Sequence, residues 1–181
     1  MSRVKISILV AALLSFTGCK STPVADDNGL SLRKSQAIQL FMGTCVIGRE
    51  NASSLEQMAE RKGFVEAPNE VAPRYLNGNE GKAWYLNDET GSYGLTLLES
   101  NLCSVYVHHG DPGKIQASME AWLPPADSGF TYKKELISQE GSLTTTSYTL
   151  YRGKHLLEQW FITINTEDDS ELIAIMSYQK A

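Results

Sequence analysis

FTYKKELISQEGSLTTTSYTLYRGKHLLEQWFITINTEDDSELIAIMSYQ, residues 130–179, decides the fold. Four runs rich in β-branched and aromatic residues follow one another: Phe130–Ser138, Leu143–Tyr151, His155–Asn165 and Glu171–Gln179. Between them lie Gln139-Glu140-Gly141-Ser142, Arg152-Gly153-Lys154 and Thr166-Glu167-Asp168-Asp169, all turn-forming. Connections this short can join only antiparallel neighbours. In the third run, Leu156, Trp160, Ile162 and Ile164 put nearly all the apolar weight on one face, the pattern of a strand covered on one side.

Working backwards, three more strands are expected. Lys82–Asn87 places Trp84 and Leu86 on one face, and Tyr93–Glu99 follows the turn at Asn87–Gly91. In Leu102–His108, Cys103, Val105 and Val107 face inward and Ser104, Tyr106 and His108 outward. A central helix then opens with Asp111 as cap and Pro112 at its first position. It carries Ile115, Met119, Trp122 and Leu123 as an apolar stripe and stops at Pro124-Pro125. Lys34–Val46 reads as a helix because Ile38, Phe41, Met42 and Cys45 share a face. A second helix, from about Ser54 to Lys62, has capping-box spacing at Ser53 and Glu56 and would bury Leu55, Met58 and Ala59. Asn51-Ala52-Ser53 also matches a glycosylation acceptor, but helix capping accounts for it better. Ala67–Gly81, rich in Pro, Asn, Glu and Gly, reads as loop. The expected class is α+β: an antiparallel sheet of about seven strands, two N-terminal helices and one central helix.

The N-terminus speaks to location. Arg3 and Lys5 precede an apolar run, Ile6 to Phe16, and Phe16-Thr17-Gly18 leads into Cys19. This is the layout of a secretory signal. With its terminal cysteine it resembles the lipobox of bacterial lipoproteins, with Phe16 where Leu is usual. The resemblance implies a signal peptide over 1–18, a lipidated Cys19 and a tether over 19–33, with one domain over 34–181. An uncleaved N-terminal anchor is the alternative. Lys20 is not the Asp that, in enteric lipoproteins, retains the protein at the inner membrane. The expected position is therefore the periplasmic face of the outer membrane, with the inner membrane as the alternative.

The formal charge is −5, and loss of Arg3 and Lys5 with the leader makes it −7. An acidic domain is a poor partner for nucleic acid. Of three cysteines, lipidation consumes Cys19, leaving Cys45 and Cys103. In a compartment that oxidises thiols a Cys45–Cys103 disulfide is the simplest outcome. The alternative is a reactive thiol, which would need a neighbouring base or a helix N-terminus. Cys45 falls near an expected helix C-terminus, where the dipole disfavours a thiolate.

Motifs for chemistry are sparse. His108-His109-Gly110-Asp111 is the one cluster with ligand-type side chains. Adjacent strand residues point to opposite faces, so only His109 and Asp111 could share an ion, and Asp111 has a competing role as helix cap. No Gly-x-Ser-x-Gly elbow is present, and Gly78–Lys82 lacks the spacing and the hydroxyl of a phosphate loop. The acidic turn Glu167–Glu171 lacks the glycine and ligand spacing of a calcium loop. No metal and no cofactor are expected.

Ser128-Gly129-Phe130-Thr131-Tyr132 resembles the Ser-Gly-x-x-Tyr element of periplasmic lysozyme inhibitors, which are smaller and all-β. The whole layout is similar to small uncharacterised lipoproteins of Gram-negative bacteria: lipid cysteine, tether, two-helix start, the Gly81–Trp84 strand and the Cys103–Val105 strand. That resemblance implies no activity. Two functions remain in view. One is a non-enzymatic binding module, an assembly accessory or immunity-type inhibitor, anchored in the membrane by its lipid. Its partner would be a protein or envelope polymer, met through tyrosines such as Tyr106, Tyr148 and Tyr151. The other is an envelope hydrolase using His108, His109 or Asp111.

Overall fold

A computed structural model describes residues 31–48 and 51–181. The expected meanders form, and they join into one eight-stranded antiparallel sheet. Its strands are β1 (Val65–Glu66), β2 (Gly81–Asp88), β3 (Gly91–Leu98), β4 (Cys103–Val107), β5 (Phe130–Glu140), β6 (Leu143–Arg152), β7 (His155–Asn165) and β8 (Ala174–Lys180). The spatial order is β1-β2-β3-β4-β8-β7-β6-β5. The first meander ends at β4. The chain then crosses to the far edge, starts β5 there and zigzags back until β8 pairs with β4, Val105 opposite Met176. Gly141 and Gly153 take the left-handed φ (+59° and +61°) that the two tight hairpin turns require.

Register puts Trp84, Leu86, Tyr93, Leu95, Val105, Met176, Trp160 and Ile162 on one face, and all are buried. Against that face lie α1 (Gln36–Phe41), continued as a π-turn over Met42–Val46, α2 (Ala52–Arg61) and α4 (Pro112–Glu120). Ile38, Phe41, Ile115 and Met119 supply their side of the core, with Phe41 edge-on to Trp160 at 5.8 Å. The first helix is thus not a single α-helix over 34–46. Its last turn widens to π, Ile47 N–H reaching the Met42 carbonyl and the Thr44 hydroxyl donating to Leu40 O at 2.7 Å. Within that turn Cys45 is bonded to Cys103 of β4, with Cα atoms 5.4 Å apart. The bond ties the helical layer to the middle of the sheet.

The opposite face mixes small polar residues with Tyr85, Tyr106, Phe161 and Ile175. Cross-strand hydroxyls pair there, Ser104 with Ser177 at 2.8 Å and Thr145 with Thr163 at 2.9 Å. The segment Ala67–Gly81, expected as loop, contributes part of the cover on this side. It contains α3 (Ala72–Leu76), whose Tyr75 ring lies so close over Gly94 that any Cβ there would collide with it. β1 is the eighth strand. Two residues cannot show a period, and α3 has only five residues with a proline at its start, so neither stood out from loop composition. The second helix begins at Ala52, with the Asn51 side chain accepting from Ser54 N–H at 2.8 Å; Asn51, not Ser53, is the cap. Arg33, at the end of the segment read as tether, is docked: its Nε donates to Ala121 O at 2.7 Å and its guanidinium lies 5.5 Å from the Trp122 ring.

Candidate functional site

Cys19, the leader and most of the tether lie outside the described residues. Cys45 and Cys103 are joined, so neither offers a thiol for nucleophilic chemistry.

The histidine cluster does not converge. His108 continues β4 on the α3 side. Its ring lies 6.1 Å edge-on from Tyr75, and its Nδ1 sits 2.6 Å from the Glu171 carbonyl. A carbonyl only accepts, so Nδ1 is the donor, and Nε2 is buried with no hydrogen-bond partner among the described residues. His109 lines a shallow groove with Ser35, Thr90 and Lys114. The Asp111 carboxylate accepts from Lys114 N–H at 2.8 Å, capping α4 as expected. Among the described residues no group of three His, Cys, Asp or Glu side chains is placed to hold a metal ion. A cavity of about 300 Å³ beside the disulfide is lined by Leu55, Leu97, Asn101, Tyr178 and Lys180.

The tyrosines need correction. Tyr148, read as part of a binding surface, is 0% exposed. Register places it on the covered face of β6, beside Trp160 of β7, and its hydroxyl donates to the Glu120 carboxylate at the end of α4. Burial first, and then that carboxylate, push the Tyr148 phenol far above its usual range. Glu120 also accepts from Lys134 Nζ at 2.8 Å. Burial alone would raise its carboxyl, but the bonds from Lys134, Tyr148 and Gln116 win and hold it below the usual range. Tyr106 is half-buried under α3, its hydroxyl donating to the Tyr75 carbonyl at 2.7 Å, and burial raises its phenol. Tyr151 is half-buried at the register shift near the end of β6.

What residue-by-residue reading missed is the far edge of the sheet. The two edges differ sharply: β1 has two residues, β5 has eleven. Nearly every residue of β5 is exposed. Tyr132 is 45%, Leu136 62% and Ile137 56% accessible, with Leu143 and Leu156 open nearby. Among the described residues α4 reaches only as far as Lys134, and nothing covers the rest of the apolar side of β5. The Ser128–Tyr132 element begins this edge. The Ser128 hydroxyl donates to Pro125 O at 2.6 Å and accepts from Phe130 N–H, and Arg152 lies 5.7 Å from the Phe130 ring. One signal was available: Lys133-Lys134 inside a strand is a mark of edge strands. No family model matches the chain, and neither a curated protein nor a solved structure is detectably similar to it.

Proposed function

We propose that this chain is a lipid-anchored bacterial envelope protein, facing the periplasm from the outer membrane, that works as a non-enzymatic binding module through the β5 edge. The observation that carries the reading is that edge. An eleven-residue strand that, among the described residues, pairs with another strand on one side only, with Tyr132, Leu136 and Ile137 open to water, is a template for docking. The lipobox-like Cys19 and the disulfide agree with an exported, oxidised setting. A lipid anchor confines such a domain to the membrane and raises its effective concentration near a fixed partner. The hydrolase alternative asks His108, His109 and Asp111 to act together, whereas His108 packs on Tyr75 and Asp111 caps a helix.

The test is complementation of a deletion strain. Tyr132→Asp and Leu136→Asp should abolish function while export and folding persist; His109→Ala should leave it intact. The reverse pattern, loss with His109→Ala and survival of both β5 variants, would replace the binding module with an enzyme, because a catalytic histidine contributes roughly 100-fold or more in rate.

A further inference from the structure

From the charge and apolar pattern of β5 we infer that the strand which docks on this edge is β5 of a second copy of the same chain, paired antiparallel about a two-fold axis through Lys134. The inference rests on the docking reading above and names its partner.

Two identical strands can pair antiparallel only so that residues of one face meet residues of the same face. The two-fold must therefore pass through a residue, and three choices centre on the charged stretch that precedes the register shift after Leu136. Register with β6 puts Tyr132, Lys134 and Leu136 on one face of β5, and Lys133 and Glu135 on the other. An axis at Lys133 sets Lys133 against its own copy and Tyr132 against Lys134. An axis at Glu135 sets Glu135 against its own copy and Lys134 against Leu136. An axis at Lys134 places Lys133 of each copy opposite Glu135 of the other, and Tyr132 opposite Leu136, each twice over by symmetry. Of these three, only the axis at Lys134 sets opposite charges against each other on one face and apolar side chains, Tyr132 and Leu136, against each other on the other.

The self-opposed Lys134 is the one like-charge contact, and the structure already answers it. Its ammonium is held 2.8 Å from the Glu120 carboxylate and over the Tyr148 ring, drawn back onto α4. Lys133 and Glu135 now form an ion pair along the strand at 2.8 Å, both well exposed. Pairing the edges would exchange these partners across the axis without stripping either charge of a counterion. Lysines on an edge commonly discourage strand addition. Here each has an acid to hand, so the pair repels a strand that slips in register while accepting one in the two-fold register. The product is a continuous sixteen-stranded sheet with β1 at both ends, where two residues offer little for further growth.

The experiment uses the full-length chain in detergent. Light scattering should give twice the chain mass. Lys133→Glu and Glu135→Lys, at exposed positions that do not touch the core, should each return it to the single-chain mass. The double reversal should restore the dimer, since it rebuilds the same pairs with signs exchanged. In a Cys19→Ser background, Lys134→Cys should cross-link to a dimer under copper–phenanthroline oxidation, because cross-strand Cα spacing suits a disulfide. Thr131→Cys, whose copies would lie far apart along the strand, should not. A full-length chain that stays monomeric overturns the inference. So does a dimer indifferent to both reversals, or one that cross-links through Thr131→Cys and not Lys134→Cys. A monomer whose Tyr132→Asp variant still fails to complement would reject self-pairing while leaving the docking surface to another partner.

Discussion

Removing the Cys45–Cys103 bond should be the most costly small change that can be made to this domain. The bond closes a span of 58 residues holding α2, β1, α3, β2 and β3. Loop-closure entropy for that length gives about 4 kcal/mol of stabilisation, acting through the unfolded chain. Cys45 and Cys103 are 0% and 2% exposed, so no solvent-facing strain relief offsets the loss. For a domain near 150 residues each kcal/mol moves the midpoint by roughly 2–4 °C, so Cys45→Ala/Cys103→Ala should melt roughly 8–16 °C lower. The single variant Cys45→Ala should lose nearly as much, because the cross-link is already gone. Thermal unfolding of purified residues 20–181, followed by circular dichroism with and without reductant, measures both. Thiol titration of the unreduced, denatured protein should find neither Cys45 nor Cys103 free. A drop below roughly 2 °C for the double variant would refute the entropic reasoning, and two free thiols would remove the bond itself.

Cys19→Ser should block incorporation of labelled palmitate and leave the precursor unprocessed; a variant that still matures and stays in the membrane fraction rules out the lipobox. Glu120→Gln should cost on the order of 1 kcal/mol at neutral pH, from the loss of the Lys134 pair and weakening of the Tyr148 bond. Because the folded carboxyl is held below its ordinary range, its contribution is full above that range and disappears as pH falls through the folded value. Melting curves of wild type and Glu120→Gln should therefore converge in acid, and a gap that persists or widens there contradicts the assigned ion pair.

The strands were legible where a period could repeat. Trp160, Ile162 and Ile164 announced a covered face and are buried in β7, but Leu156, read on the same face, is 44% exposed because the register shift at Leu150/Tyr151 pairs it with Tyr151. Caps were legible for the same local reason: Asp111 and Pro112 start α4 as read. Elements too short to repeat, β1 and α3, carried no such signal, and the π-turn after Phe41 depends on how Thr44 bonds back to Leu40. The surface was harder still, because exposure is not a property of a strand but of its neighbours. Tyr132 and Tyr148 sit at equivalent alternating positions in adjacent strands and face the same side of the sheet, with rings 6.4 Å apart. One is 45% exposed and the other fully buried, since α4 ends above β6 and does not extend over β5. Strand order decides which of them meets water, and strand order comes from pairings more than sixty residues apart, such as β4 with β8. Local pattern supplies the faces. The long-range closure of the sheet selects which edge is left open, and that choice, more than any motif, leaves β5 exposed among the described residues.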